Sequence, residues 1–305
     1  MLIYALKRLS IALLVAITVS LITFSMIYLS GDPAIALAGE TATQQDIENI
    51  RKVYGYDQPI IVQYLSWLGH ALQGNLGHSH YLKSEVSDVI FERLPVTMTL
   101  GACSLGFALV LSIPLGVLAA MRPNTLVDRF ALTVAVIGQA LPSFWFALIM
   151  IFFFGVALRW LPITGSASWT NFIMPSIALG YYVTPAVMRL TRAGMIEVLS
   201  SDYIRTARAK GLRPMVVLFK HALRNAIIPV VSLAAVQFGF MLGGSIVIET
   251  IFAINGLGQL AWESILRADL PMMQAIVLVL SCFYIVLTFL ADLLNAFLDP
   301  RIRVS

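Results

Sequence analysis

No glycine in this sequence is followed by lysine, so the chain contains no Walker A loop to cradle a nucleotide phosphate. GxSxG, HExxH and CxxC are absent as well, which removes the nucleophile elbow, the zincin helix and the thiol redox pair. Cysteine is nearly missing. Cys103 and Cys282 both lie inside apolar runs and read as small hydrophobic residues, not as a disulfide or a metal pair. Charge is scarce too: 12% of the 305 residues are Asp, Glu, Lys or Arg, against 59% hydrophobic, and the mean hydropathy of +0.87 excludes an ordinary soluble domain.

What the chain has is apolar blocks. Six run at about 9–30, 97–121, 130–158, 173–195, 228–250 and 272–297, each near the roughly 20 residues needed to cross about 30 Å of hydrocarbon. The third is longer than a span requires, which suggests tilt or an extramembrane end. The first has the basic front of a signal peptide in Lys7 and Arg8, and "ALA" at 36–38 resembles a cleavage site. Its charge-free stretch from Leu9 to Leu29 exceeds the usual h-region of about 7–15 residues, so it reads as an uncleaved anchor.

Lys/Arg placement orients the blocks. With the N-terminus inside, 14 of the 20 basic residues fall on inner segments; Arg51, Lys52, Lys83, Arg93, Arg159 and Arg267 are outside. The positive-inside rule therefore predicts an all-α membrane protein with six transmembrane helices, N-in and C-in. The pI of about 9.1 follows from topology and requires no nucleic acid.

The outer segment after the first block carries helix signals. "TQQDIENIRKVYG" offers Thr43 as N-cap and Gly55 as C-cap, and "PIIVQYLSWLGHALQG" starts at Pro59 and stops at Gly74. Two short helices on the outer surface are predicted, then a turn in "GNLGHSH". Outer loop 159–172 holds Trp160 and Trp169 as interfacial anchors, and outer loop 251–271 is amphipathic.

One cytoplasmic segment stands out. Tyr203–Pro229 holds six Lys/Arg residues, one His and no acid. "SDYIRTARAKG" reads as a short helix with Ser201 or Asp202 as N-cap and Gly211 as C-cap, and Pro214 suits the first turn of a second helix. Thr206, Ala207 and Ala209 leave the first helix slim, while Arg205 and Arg208 share a face. Such a helix suits a groove on another protein; a basic loop that merely stays in the cytosol is the alternative.

Other candidates are isolated. His78 and His80 offer two metal ligands in a polar loop but read as solvated. Asp292 lies near the cytoplasmic end of the sixth block, within reach of Arg301 or Arg303, and Glu249 lies at the outer end of the fifth. Gly239 and Gly243 form a GxxxG that permits close helix packing, within the subunit or against a partner. With no catalytic constellation and no energy-coupling motif, the chain reads as a transport subunit driven by another protein. A stand-alone ion-coupled carrier is the competing class; it would show internal repeats and midplane acids, which are not apparent.

The basic segment resembles the "EAA" coupling region of ABC importer permeases, with Arg205-Thr206-Ala207, Gly211 and His221-Ala222-Leu223-Arg224 in the motif's places and its Glu, Ile and Pro missing. "DYIRTARAKG" and "HALRNAIIPV" resemble the form taken in the dipeptide/oligopeptide/nickel permease family. So do "GDPA" at 31–34, "RLPVTMTL" at 93–100, "LPSFWFAL" at 141–148, "GGSIVIETIF" at 243–252, "GLGQL" at 256–260 and "DPRIR" at 299–303. The resemblance covers the whole chain and is closest to the first permease of the pair. Asn255 stands where the family commonly has Pro, and Ala268 where a second charge is common.

The resemblance implies a type I importer permease. Residues 1–30 would be an anchor helix, 31–94 a periplasmic helical segment, 95–297 the permease domain with its coupling region at 201–226, and 298–305 a cytoplasmic tail. Tyr203, Arg205, Thr206, Ala207, Arg208, Ala209, Lys210 and Gly211 would meet an ATPase subunit. The chain itself would hold no cofactor; ATP and Mg2+ would belong to two ATP-binding subunits. A second permease would complete the pathway between spans three and five, where Gln139, Ser143, Gln237 and Ser245 are the polar residues, although hydrogen bonding within the bundle would explain them too. A solute-binding protein would meet the outer segment and loop 251–271 and deliver dipeptides or short oligopeptides; glutathione and nickel chelates are carried by close relatives. The protein would sit in the bacterial inner membrane, in contact with lipid.

Overall fold

The computed structural model describes residues 2–29, 32–38, 42–79 and 81–298, and they are overwhelmingly helical. His80, Gly31 of the "GDPA" motif, and the tail from residue 299, with Arg301, Arg303 and the whole "DPRIR" motif, lie outside the described residues.

Helix α1 (Leu2–Leu29) is followed by α2 (Pro33–Ala38), α3 (Gln44–Val53) and α4 (Ile60–Leu72). The capping expected of α3 is present: Thr43 accepts from the Asp46 amide, and the Asp46 carboxylate accepts from the Thr43 amide at 3.0 Å. The Thr43 hydroxyl and amide hold Asp46 below the usual carboxylate range. Gly55 has φ +71°, as its place after the helix required. Arg51 of α3 pairs with Asp32 ahead of α2. Pro59 is the N-cap of α4 rather than its first residue. The "GNLGHSH" turn opens a two-stranded antiparallel hairpin instead, β1 (His78–Ser79) and β2 (Ser84–Glu85), with His78 opposite Glu85.

Helix α5 (Val86–Met121) runs unbroken through Pro95 and Pro114. The expected boundary at residue 94 therefore falls within a helix that begins at Val86. The third apolar block is broken in the middle. Helix α6 (Leu126–Ala140) stops, Leu141 adopts β-region angles (φ −101°, ψ 132°), and α7 (Ser143–Met150) restarts after Pro142, continuing as a π-helix over Ile151–Ala157. Its excess length is thus a break, caused by the clash of a proline ring with an α conformation in the preceding residue. The fourth block also divides, into α8 (Ile173–Tyr181) and α9 (Thr184–Leu199). Then come α10 (Asp202–Ala209), α11 (Pro214–Val216), a π-helical turn at Val217–Leu223, α12 (Arg224–Ala226), α13 (Ile228–Ile251), α14 (Leu257–Leu266) and α15 (Leu270–Leu298).

Among the described residues four helices are long and apolar enough to cross a membrane: Tyr4–Met26, Val86–Met121, Ile228–Ile251 and Leu270–Ala296. Helix α5 packs on α8, α9 and α13, and α15 packs between α1 and α13. The main core lies where α5, α7, α8, α9 and α13 meet, around Leu100, Met174, Val187, Met241 and Ile248. Asp292 of α15 is paired, at 3.1 Å, with Arg8 of α1, which joins the first helix to the last; the Arg301 and Arg303 named from the sequence lie outside the described residues.

Candidate coupling surface and translocation cleft

Helix α10 hangs on the bundle by one face. Ile204 is fully buried and Ala207 nearly so, in a cluster with Val117, Met195, Val217, Leu218 and Ala222. Ala207 therefore belongs to the inner face and corrects its expected place on the docking side: its small size admits the helix to its own bundle. Tyr203, Arg205, Thr206, Arg208, Ala209, Lys210 and Gly211 are exposed. Arg205 pairs with Asp202 one turn earlier at 2.7 Å. The Tyr203 hydroxyl accepts from Asn225 Nδ2 at 2.7 Å, fastening α10 to the segment that enters α13.

Gly211 ends the helix as expected. Its φ is +73°, its amide donates to the Arg208 carbonyl (2.9 Å), and the Leu212 amide reaches the Ala207 carbonyl (3.4 Å). This is a Schellman ending, and only glycine takes such a φ without a Cβ penalty. No atom lies within 4 Å of where a Gly211 Cβ would stand, so backbone conformation alone decides the residue. Of the two N-cap candidates Ser201 takes the position, with extended angles, though its hydroxyl donates back to the Val198 carbonyl at 2.6 Å instead of capping an amide.

Sequence reasoning missed the apolar part of this surface. Met215 and Phe219 are 63% and 53% exposed beside the basic helix, and Leu212 and Val216 are also exposed. Bulky apolar residues amid basic ones, outside any apolar block, were the signal. A second omission is Asp128. It is buried, its two oxygens take both the Nε (2.7 Å) and Nη2 (2.6 Å) of Arg192, and Oδ2 also accepts the Asn124 amide (2.8 Å). This bidentate pair clamps the loop before α6 onto α9, whose end leads into α10.

At the two helix breaks lies a cavity of about 480 Å³. Gln139, Ser143 and Gln237 line it, with Tyr182, Phe240 and Gly244. Three of the four polar residues expected to form a pathway thus converge. Ser245 does not: it is buried, and its hydroxyl donates to the Leu242 carbonyl at 2.9 Å, the internal bonding that was the alternative. The two glycines of the GxxxG also separate. A Cβ on Gly239 would meet Tyr284 of α15 at 2.2 Å, so this glycine packs within the chain, whereas nothing lies within 4 Å of a Gly243 Cβ. Broken helices around a polar-lined cavity are the usual place for irregular backbone at membrane depth.

The hairpin and the corner between α14 and α15 form one surface. The Ser79 hydroxyl donates to Asp269, and the Arg267 guanidinium lies 4.8 Å above the Tyr81 ring. His78 meets Glu85 at 3.3 Å. Among the described residues no group of three or more His, Cys, Asp or Glu is placed to hold a metal.

Residues 112–304 match the model of the binding-protein-dependent transport system inner membrane component, and residues 1–101 match that family's N-terminal model. The chain is 41% identical over 304 residues to the glutathione transport system permease protein GsiC of Escherichia coli (strain K12), covering 99% of both chains. It is 40% identical to the protein of that name in Shigella boydii serotype 4. A solved structure of the inward-facing MetNI methionine ABC transporter has the same fold, with a TM-score of 0.59 and 20% identity over 69% of this chain and 96% of that one. The chain belongs to the family of inner membrane components of binding-protein-dependent transport systems, and is a permease subunit of an ABC importer.

Proposed function

We propose that this permease forms half of the pathway by which short peptides, glutathione among them, are imported at the expense of ATP. Six crossings would place both termini in the cytoplasm of a bacterium, with α6–α7 and α8–α9 as the two interrupted spans. Residues 31–94 would lie outside, 201–226 would form the coupling region, and 298–305 would end inside. The observation that carries this reading is the convergence of Gln139, Ser143 and Gln237 on one cavity. A peptide needs such polar partners to leave water. A second permease would close the cavity, with Gly243 open to its approach. Two ATP-binding subunits, holding ATP and Mg2+, would receive α10, and a solute-binding protein would dock outside. The glutathione permeases at 41% identity support a small peptide with free carboxylates as substrate.

The test is reconstitution of the full transporter in vesicles with its binding protein, measuring ATP-dependent uptake of labelled glutathione and of a dipeptide. Uptake of either supports the reading. Uptake of neither, with uptake of a non-peptide solute, removes the substrate assignment.

A further inference from the structure

Helix α4 is apolar on the side that packs and on the side that does not. Tyr64 and Trp67 face α1: the Tyr64 hydroxyl lies 2.8 Å from Ser20 Oγ, and the Phe24 ring packs edge-on against Tyr64 at 5.5 Å and tilted against Trp67 at 5.8 Å. The exposed surface carries Ile61, Val62, Leu65 and Leu72, exposed by 73%, 46%, 59% and 81%, with Ser66 and His70 beside them, the His70 ring bonded back to the Ser66 carbonyl at 2.8 Å. The helix has no Asp, Glu, Lys or Arg. A helix lying against water would place charged residues there.

The contacts with α1 fix its depth. The charge-free run Leu9–Leu29 has 21 residues, a rise of about 31 Å, which is only just enough to cross the hydrocarbon. None of it is to spare, so Ser20 and Phe24 lie inside the membrane, about 13 and 7 Å below Leu29. Whatever touches both is also inside. Helix α1 likewise exposes apolar side chains at this depth and below, Leu13, Leu14, Ile17 and Leu21 among them. At the other end Gln63 donates to the Gln58 carbonyl at 2.7 Å, binding the start of α4 to the polar turn above.

We propose that α4 is embedded in the outer leaflet, with Ile61, Leu65 and Leu72 against lipid acyl chains, and that it is not part of the surface offered to the binding protein. The outer segment would then divide, with α4 in lipid and the hairpin facing the aqueous side. This rests on α1 crossing the membrane.

The full-length chain with Cys103→Ser and Cys282→Ser, carrying Leu65→Cys or Ile61→Cys, is labelled with bimane in detergent and reconstituted in phosphatidylcholine/phosphatidylglycerol vesicles. Ile17→Cys on α1 is the control. Nitroxide on the acyl chain should quench all three probes, and aqueous iodide none. Iodide quenching at both α4 positions, with Ile17 still quenched only by lipid, overturns the proposal; iodide protection by added binding protein would then identify the true occupant. Iodide quenching at Ile17 overturns the crossing of α1 and the proposal with it.

Discussion

Thr97 of α5 donates a 2.8 Å hydrogen bond to Glu249 of α13, 152 positions away, and the two together cap α14. The Gly258 and Gln259 amides donate to Glu249 Oε2 (2.7 and 3.0 Å), and the Leu257 amide donates to Thr97 Oγ1 (2.7 Å). A carboxylate at a helix N-terminus meets both free amides and the positive end of the dipole. A Cβ on Gly256 would stand 2.4 Å from that carboxylate, so the loop approaches this closely only with glycine there.

Glu249→Ala should strip two buried amides of their acceptor, costing about 1–3 kcal/mol. Thermal unfolding of the purified chain should show a lower midpoint for this variant and little change for Thr97→Ser, which keeps the hydroxyl. Equal midpoints for Glu249→Ala and the parent chain would show that the cap contributes nothing.

The Asp128–Arg192 clamp should matter to transport beyond stability, since it ties α6 to the helix that carries α10. Asp128→Ala and Arg192→Ala should each lower uptake. The exchange Asp128→Arg with Arg192→Asp should recover part of it, but not all, because the Asn124 amide loses its acceptor. Two harmless single variants would remove the clamp.

In the cavity, Gln139→Trp and Gln237→Trp should block uptake while the permease still assembles with its partners, because both side chains line open space. Ser245→Ala should transport normally, since that hydroxyl is buried, donates to the Leu242 carbonyl and is not among the residues lining the cavity. Blocked uptake in Ser245→Ala, with wild-type uptake in both tryptophan variants, would move the pathway elsewhere.

The sequence made some of these features legible and hid others. Helix ends were readable where a local rule suffices: Thr43 with Asp46, Gly55 and Gly211 all occupy the conformations their neighbours imply. The break at Leu141 was readable in principle, because Pro142 follows it, yet Pro95 and Pro114 lie inside an unbroken helix. What separates these prolines is the packing of α5 on α8, α9 and α13, which no local pattern records. The same holds for side chains. Gln139 and Gln237 were visible as polar residues in apolar runs, but Ser245 looked identical and faces inward. Ala207 was visible as small, but whether smallness served a partner or its own bundle depended on Val217 and Met195. Arg192 for Asp128, Thr97 for Glu249 and Arg8 for Asp292 are partners distant in sequence, and none was anticipated.

On α10, Ala207→Leu should overpack the inner face and cost about 1–3 kcal/mol, tilting the helix. Arg205→Ala should do less, because the ion pair it removes is exposed to solvent. ATP hydrolysis by the assembled transporter, with and without loaded binding protein, separates them: stimulation should fall in Ala207→Leu and persist in Arg205→Ala. The reverse order would make charge, not the seating of the helix, the coupling element.

The most direct measurement concerns Gly211, whose φ of +73° sets the angle between α10 and the segment entering α13. ATP-driven uptake by the complete transporter in vesicles is compared for Gly211→Val and Gly211→Asn. Valine is strongly disfavoured at that φ and asparagine tolerates it. Gly211→Val should assemble but neither transport nor hydrolyse ATP in response to loaded binding protein, and Gly211→Asn should retain most of both. Normal ATP-driven uptake by Gly211→Val, or solute uptake by the permease alone on an ion gradient, would contradict ATP-driven coupling through this turn.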